Sequence, residues 1–357
     1  MRAAAGLIMG RVFPLASPAD EPTSSAFRSV RDALRPRALA PPLRPEREAA
    51  RALSALAPES VSGVVFFGSQ RTKASPDQHS AWDFFVVVDA YRPFYDALGR
   101  ASRVRRPPSL LAALNARLPP SQISLRLPDG RGGELHSKCT IMSLAHLKRE
   151  TSSHRCDHFT MGRLFQPAEV LFARDDAAAG ALLEALAASA AGTFTWGRPF
   201  LPARFDTETY LRTLLRMSMT REIRPEPTER RADALHEAQR DEQVPVYAAL
   251  LEGLARDGEV VAEGAPIVFT LARPVGLLER FRVGLYFRVS MVRATLRWFK
   301  YILTFDDWLD YIARKAERHT GQKIELTPRE RAHPLLFLWP RLLRYLRQKD
   351  DGPRKAS

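Results

Sequence analysis

Gly68 and Ser69 close one apolar run, VVFFGS, and Asp83 opens the next, DFFVVVD. A glycine lets the backbone approach a phosphate closely, and a serine hydroxyl beside it can donate to a phosphate oxygen. A carboxylate facing that pair can hold Mg2+, which takes hard oxygen ligands and offsets charge at a phosphorus under attack. Together these residue types suit chemistry on a triphosphate. A partner acid is expected two residues away, on the same strand face, but position 81 is Ala. Asp89 shares the face yet stands six residues off, roughly 20 Å at strand rise. Asp77 in the connecting loop, or Glu134 further along, is therefore expected to complete the metal site.

Holding these groups in place requires two strands, and both runs are short, β-branched and aromatic. DFFVVVD is apolar on both faces and is expected to be a buried central strand. A helix over EREAARALSALA should precede the first run, and strands are expected in SQISLRL and, after the turn DGRGG, in GELHSKCTIMS. SLAHLKRET and DDAAAGALLEALAASAA read as helices, with a short strand at the end of HFTMGRLFQPAEVLF. A Pro-rich break near residue 200 suggests a domain boundary. Beyond it come helical spacing in TETYLRTLLRMSMTREI and a hairpin in GEVVAEGAPIVFTLA. Seven prolines before residue 49 suit an unpacked tail.

The formal charge of +14 calls for an anionic partner. Residues 273–357 carry 19 Lys or Arg against 9 Asp or Glu, a net of +10, so most of that charge is local. There it interleaves with Leu, Phe, Trp and Tyr at helical intervals, which suits a helix lying on anionic lipid, with Trp339 and Tyr345 as interface anchors. A solvated basic face on a packed helix would give the same pattern. No RNA-recognition module accompanies the charge, so nucleic acid is not the expected partner. Arginines break every long apolar stretch, so no spanning helix is expected. The cysteines, Cys139 and Cys156, stand outside any CxxC, which excludes a disulfide framework and a four-thiolate zinc site. HRCDH lacks regular ligand spacing, and His154, Cys156 and His158 are expected in a loop, the histidines at the surface.

A Gly-Ser strand end, a short helix and an acid-bearing strand form the layout of nucleotidyltransferases. FFGSQ, WDFFVVVD, HSKCTIMSLAHL and HFTMGRLFQPAEVLF also follow one another as they do in the mitochondrial type of phosphatidate cytidylyltransferase, and the chain resembles that family from about residue 62 to residue 318. The resemblance implies transfer of CMP from CTP to phosphatidic acid, giving CDP-diacylglycerol and pyrophosphate, with Mg2+. It places Lys138 at a family lysine and Arg163 in a Gly-Arg-Leu segment with Gly162 and Pro167. Gln166 departs from it, since the family has Lys there. It further implies an α+β fold: a polymerase-β-like nucleotidyltransferase domain over residues 49–200 behind a tail of residues 1–48. A helical, winged-helix-like domain over 201–272 and a basic amphipathic region over 273–357 would follow.

In that last region Arg293, Arg297, Lys300, Arg314 and Lys315 are expected to bind membrane lipid. The implied location is the surface of an anionic membrane. Asp20, Glu21, Asp32 and Glu46 argue against a mitochondrial presequence, so a bacterial cytoplasmic face is favoured over the matrix side of the mitochondrial inner membrane. Two rival readings stand beside this one: a nucleotidyltransferase with RNA or a soluble metabolite as acceptor, and a non-catalytic membrane adaptor on a degenerate fold.

Overall fold

In the computed structural model the described residues are 21–41, 43–72, 81–130, 132–220 and 228–304, with Leu15, Thr327 and Arg329. Among the described residues the first element is a helix, α1 (Ser25–Ala38), although residues 1–48 read as an unpacked tail. Ser24 caps it by accepting from the Phe27 N–H at 3.0 Å, and Ala26, Phe27 and Val30 form an apolar face that is buried. Its proline, Pro36, falls in the last turn. Proline content is misleading here because Pro22 and Pro41 stand outside the helices and Pro45 sits in the first turn of the next one, where a proline is tolerated.

Then come α2 (Arg44–Ala55), β1 (Val61–Phe67), a single turn α3 (Ser69–Thr72) and β2 (Trp82–Val88). Two helices follow, α4 (Tyr91–Arg100) and α5 (Pro108–Arg117), then β3 (Ser121–Pro128), β4 (Glu134–Ser143), α6 (Leu144–Thr151), α7 (Met161–Leu164) and β5 (Glu169–Ala173). The strands form one mixed sheet in the order β3-β4-β2-β1-β5, with β2 central as its two-sided apolar run requires. β2 runs antiparallel to β1 and parallel to β4, and the β2–β4 crossover takes in α4, α5 and β3.

Side chains alternate across the sheet. Phe66, Phe84, Val86, Cys139 and Ile141 fill one face against α2 and α4, while Phe67, Phe85, Val87 and Met142 fill the other with Leu164, Leu182 and Leu186. Those leucines come from α7 and from α8 (Asp176–Ala191). After α8 come α9 (Thr193–Gly197), α10 (Thr207–Thr220), α11 (Thr228–Arg256), the hairpin β6 (Val260–Glu263) and β7 (Val268–Leu271), and α12 (Leu277–Thr304).

No break in packing occurs at residue 200. Phe27, Phe165, Trp196, Tyr210, Leu250 and Phe287 belong to one core cluster, so elements on both sides of the expected boundary share a single apolar interior. The stretch Asp176–Phe200 is, by length and a mean hydropathy of 1.4, apolar enough to cross a membrane, against the expectation that no stretch would be. Of its most apolar window, 72% is buried within the protein.

Candidate functional site

The register of β1 and β2 sets Phe67 opposite Asp83, so the residue after Phe67 meets the carboxylate. That residue is Gly68, at φ +89°, and a Cβ there would lie 2.7 Å from Asp83 Oδ2. Only glycine satisfies both the backbone angle and the close approach. Ser69 then opens α3, whose Arg71 is anchored by Glu242 at 2.8 Å and Glu169 at 3.3 Å. The turn carrying Gly68 and Ser69 is thereby pinned to β5 and α11.

On its other side Asp83 pairs in register with Lys138 of β4, and Lys138 with Ser124 of β3. Paired residues share a face, and strands lie ~4.8 Å apart, so Ser124, Lys138, Asp83 and Phe67 form one row across four strands. Asp83 and Lys138 are each half-buried. The next row outward pairs Arg126 with His136, both exposed, and the next inward pairs Gln122 with Thr140. Two segments far apart in sequence thus bring the carboxylate, the ammonium and the Gly-Ser turn to one place.

The partner acids fare differently. Asp77 lies outside the described residues. Glu134 is exposed, pairs with Arg126 at 3.3 Å, and stands four residues along β4 from Lys138, about 13 Å at strand rise. It is not beside Asp83, and its expected metal role is corrected on that ground. Among the described residues no group of His, Cys, Asp or Glu is arranged as a metal cage. The donor set fits Mg2+ in the mode that uses one carboxylate, water and substrate phosphate oxygens. Asp89 serves the sheet instead, accepting from Ser62 Oγ at 2.8 Å and from Arg174 at 2.5 Å and so tying β1, β2 and the end of β5 together. The Arg174 hydrogen bond holds its carboxyl below the usual range.

Arg163 sits on α7, donates to the Phe159 carbonyl at 2.9 Å and stacks on the Phe159 ring at 3.7 Å. Phe159 packs on the core cluster that contains Phe67 and Phe85, so Arg163 belongs to the side of the sheet that carries Asp83 and Lys138. Gln166 is bound locally: its amide donates to the Gly162 carbonyl at 2.8 Å and its oxygen accepts from Gln239 at 3.4 Å. His158 is not at the surface. It is buried between Tyr286 and Ser218, 3.1 Å from each hydroxyl, and joins the loop to α10 and α12. His154 is exposed as expected.

The basic residues of α12 reverse their expected orientation. Arg293, Arg297 and Lys300 are only 3%, 2% and 4% exposed. Asp157, absent from the expected site residues, takes a bidentate pair from Arg297 at 2.7 and 3.0 Å and a third bond from Arg293 at 2.7 Å. Burial alone would raise the Asp157 carboxyl; Arg297 and Arg293 outweigh it and hold it well below its usual range. The solvent side of α12 instead shows Leu277, Phe281, Val292, Leu296 and Phe299, beside Arg282 and Arg288.

A signal for this inversion exists. Val283, Phe287 and Ser290 define the buried stripe, and Arg293, Arg297 and Lys300 continue it at steps of three and four. Arg314 and Lys315 lie outside the described residues. No family model matches the chain, and no curated protein matches it.

Proposed function

We propose that the protein is a nucleotidyltransferase that moves CMP from CTP to the phosphate of phosphatidic acid. The observation that carries this reading is the close approach of Gly68 to the Asp83 carboxylate, with Lys138 in register beside it. The α+β architecture with its mixed five-stranded sheet is compatible with a polymerase-β-like nucleotidyltransferase fold. Only short motifs link the chain to the phosphatidate cytidylyltransferases, so the acceptor rests on that resemblance and on the lipid-suited surface of α12.

In this reading Gly68 and Ser69 cradle the triphosphate, the serine hydroxyl donating to a phosphate oxygen. Mg2+, when bound through Asp83, neutralises phosphate charge. Lys138 and Arg163 offset the repulsion between two anions brought together, and supply donors to the pyrophosphate as it leaves. A phosphate oxygen of phosphatidic acid forms the new bond to the α-phosphorus, while the bond from that phosphorus to the α–β bridging oxygen breaks. The nucleophile is already anionic, so no general base is needed and the protein contributes mainly by positioning.

Docking is assigned to the outer side of α12, where exposed leucine, valine and phenylalanine lie among arginines, a combination suited to an anionic bilayer. We place the protein on the cytoplasmic face of a bacterial-type membrane, with the mitochondrial matrix side as the alternative. The test is a mixed-micelle assay with phosphatidic acid and each of the four ribonucleoside triphosphates. Labelled CDP-diacylglycerol from CTP supports the reading. Transfer only to RNA or a soluble metabolite would replace the acceptor, and liposome binding without any turnover would make the protein an adaptor.

A further inference from the structure

Three basic residues, Arg293, Arg297 and Lys300, are buried beneath α12. Arg297 and Arg293 share one carboxylate, Asp157, and Lys300 Nζ donates to the Leu118 carbonyl and, at 2.6 Å, to the Pro120 carbonyl. Both of those acceptors are neutral. The other buried acid nearby, Glu150, is engaged by Arg149 at 2.6 Å and by the Cys156 N–H at 2.9 Å. Burying a cation without a counter-ion is costly, and burial together with Arg297 and Arg293 depresses the Lys300 pKa well below the usual lysine range.

Unused donors lie among these basic residues. Arg297 Nε and the Tyr301 hydroxyl are buried with no hydrogen-bond partner among the described residues. Arg155, on the loop that carries Asp157, leaves Nε and Nη2 in the same condition. Tyr301 interacts electrostatically with Arg297 and Arg163, and the Arg297 and Arg163 guanidiniums both lie over the Phe159 ring, at 4.6 and 3.7 Å. A rigid cationic surface with spare donors is what a phosphate oxygen requires.

We propose that Arg297, Lys300 and Tyr301 form a second anion site, one that takes a phosphate group and is made of residues other than those of the Asp83 row. Lys300 is fixed at the entry to β3, where Ser121 pairs with Ile141. Ile141 is three residues along β4 from Lys138, about 10 Å at strand rise. Arg163, which shares the Phe159 ring with Arg297, is common to the neighbourhoods of both sites. The source of the phosphate is either a lipid headgroup reaching in beside α12 or free phosphate.

The site is tested on the full chain without CTP, so its failure is separable from failure of the transferase reading. Thermal unfolding and the 31P linewidth of inorganic phosphate are followed during a phosphate titration, with chloride at matched ionic strength as control. The wild type should be stabilised saturably by phosphate and not by chloride. Tyr301→Phe, which removes only a hydroxyl, should weaken the apparent affinity about five-fold, and Lys300→Met about ten-fold, whereas Asp83→Asn should leave it within about two-fold.

Micelles of short-chain phosphatidic acid, set against phosphatidylcholine, separate the sources. Tyr301→Phe-sensitive binding of the phosphatidic acid micelles assigns a lipid headgroup, and a response confined to inorganic phosphate assigns the free ion. No saturable response in the wild type, or one undiminished in both Tyr301→Phe and Lys300→Met, overturns the proposal. So does a response that emerges only after Asp306, Asp307 and Asp310 are changed together to Asn, because the chain's own carboxylates would then be the anion.

Discussion

Gly68 carries two constraints at once, a positive φ and a carboxylate where its Cβ would be. Gly68→Ala should therefore destabilise the fold by about 1–3 kcal/mol and displace Asp83, so that turnover falls by more than the stability loss explains. Urea unfolding set beside kcat would show the split; unchanged activity would mean that the close approach is not used. Asp157→Asn strips the carboxylate from two buried guanidiniums and should cost about 3–5 kcal/mol, among the largest losses for one atom-scale change in this chain.

The chemistry-bearing residues of β1 and β2 are legible in the sequence because strand pattern and turn chemistry mark them. Lys138 is legible only as a motif, since its place beside Asp83 depends on a parallel pairing between segments separated by two helices and a strand. Asp157 is hidden because a lone acid in HRCDH gives no local sign of partners more than a hundred residues away.

Among the elements, α12 shows what composition alone conceals. A count of arginines and aromatics describes a basic amphipathic surface, yet the three-four spacing sends the central basic residues inward and leaves an apolar face outside. Phe281→Glu combined with Val292→Glu and Phe299→Glu should abolish binding to vesicles of anionic lipid while leaving the unfolding midpoint nearly unchanged, as surface substitutions do. Flotation with the triple variant checks this, and undiminished binding would move the docking surface elsewhere.

A pH response belongs to the contact between α4 and α6. Tyr91 of α4 hydrogen-bonds His146 of α6 at 2.7 Å, and burial, with Arg149 and Arg293 nearby, lowers the His146 pKa to about 4. The unfolded chain therefore takes up this proton first. The stability from a neutral His146 is present above about pH 6.5 and is lost as pH falls toward 4. Urea midpoints measured from pH 7.5 to 4 should decline less steeply in His146→Gln than in the wild type.

At the scale of the whole molecule, the core joins α1 to helices beyond residue 200 and to the hairpin, with Phe27, Trp196, Tyr247 and Phe269 in one cluster. A fragment of residues 49–200 should then lack cooperative unfolding, because it would expose the apolar side of α8 and lose α1 entirely. A sharp calorimetric transition for that fragment would restore the boundary that the Pro-rich break suggests. The sheet can be read from sequence because its strands alternate or are uniformly apolar over short lengths. The joined core cannot, since it depends on which helix faces meet rather than on the faces themselves.

Asp83, in register with Lys138 and against Gly68, is proposed to place Mg2+ for nucleotidyl transfer. This role is tested most directly by comparing wild type with Asp83→Asn in the transfer of labelled CMP from CTP to phosphatidic acid in mixed micelles, with and without Mg2+. The wild type should form CDP-diacylglycerol in a Mg2+-dependent way, and the variant should lose at least about a hundred-fold in kcat at an unchanged unfolding midpoint. Turnover by Asp83→Asn at the wild-type rate, or transfer indifferent to Mg2+, would contradict it.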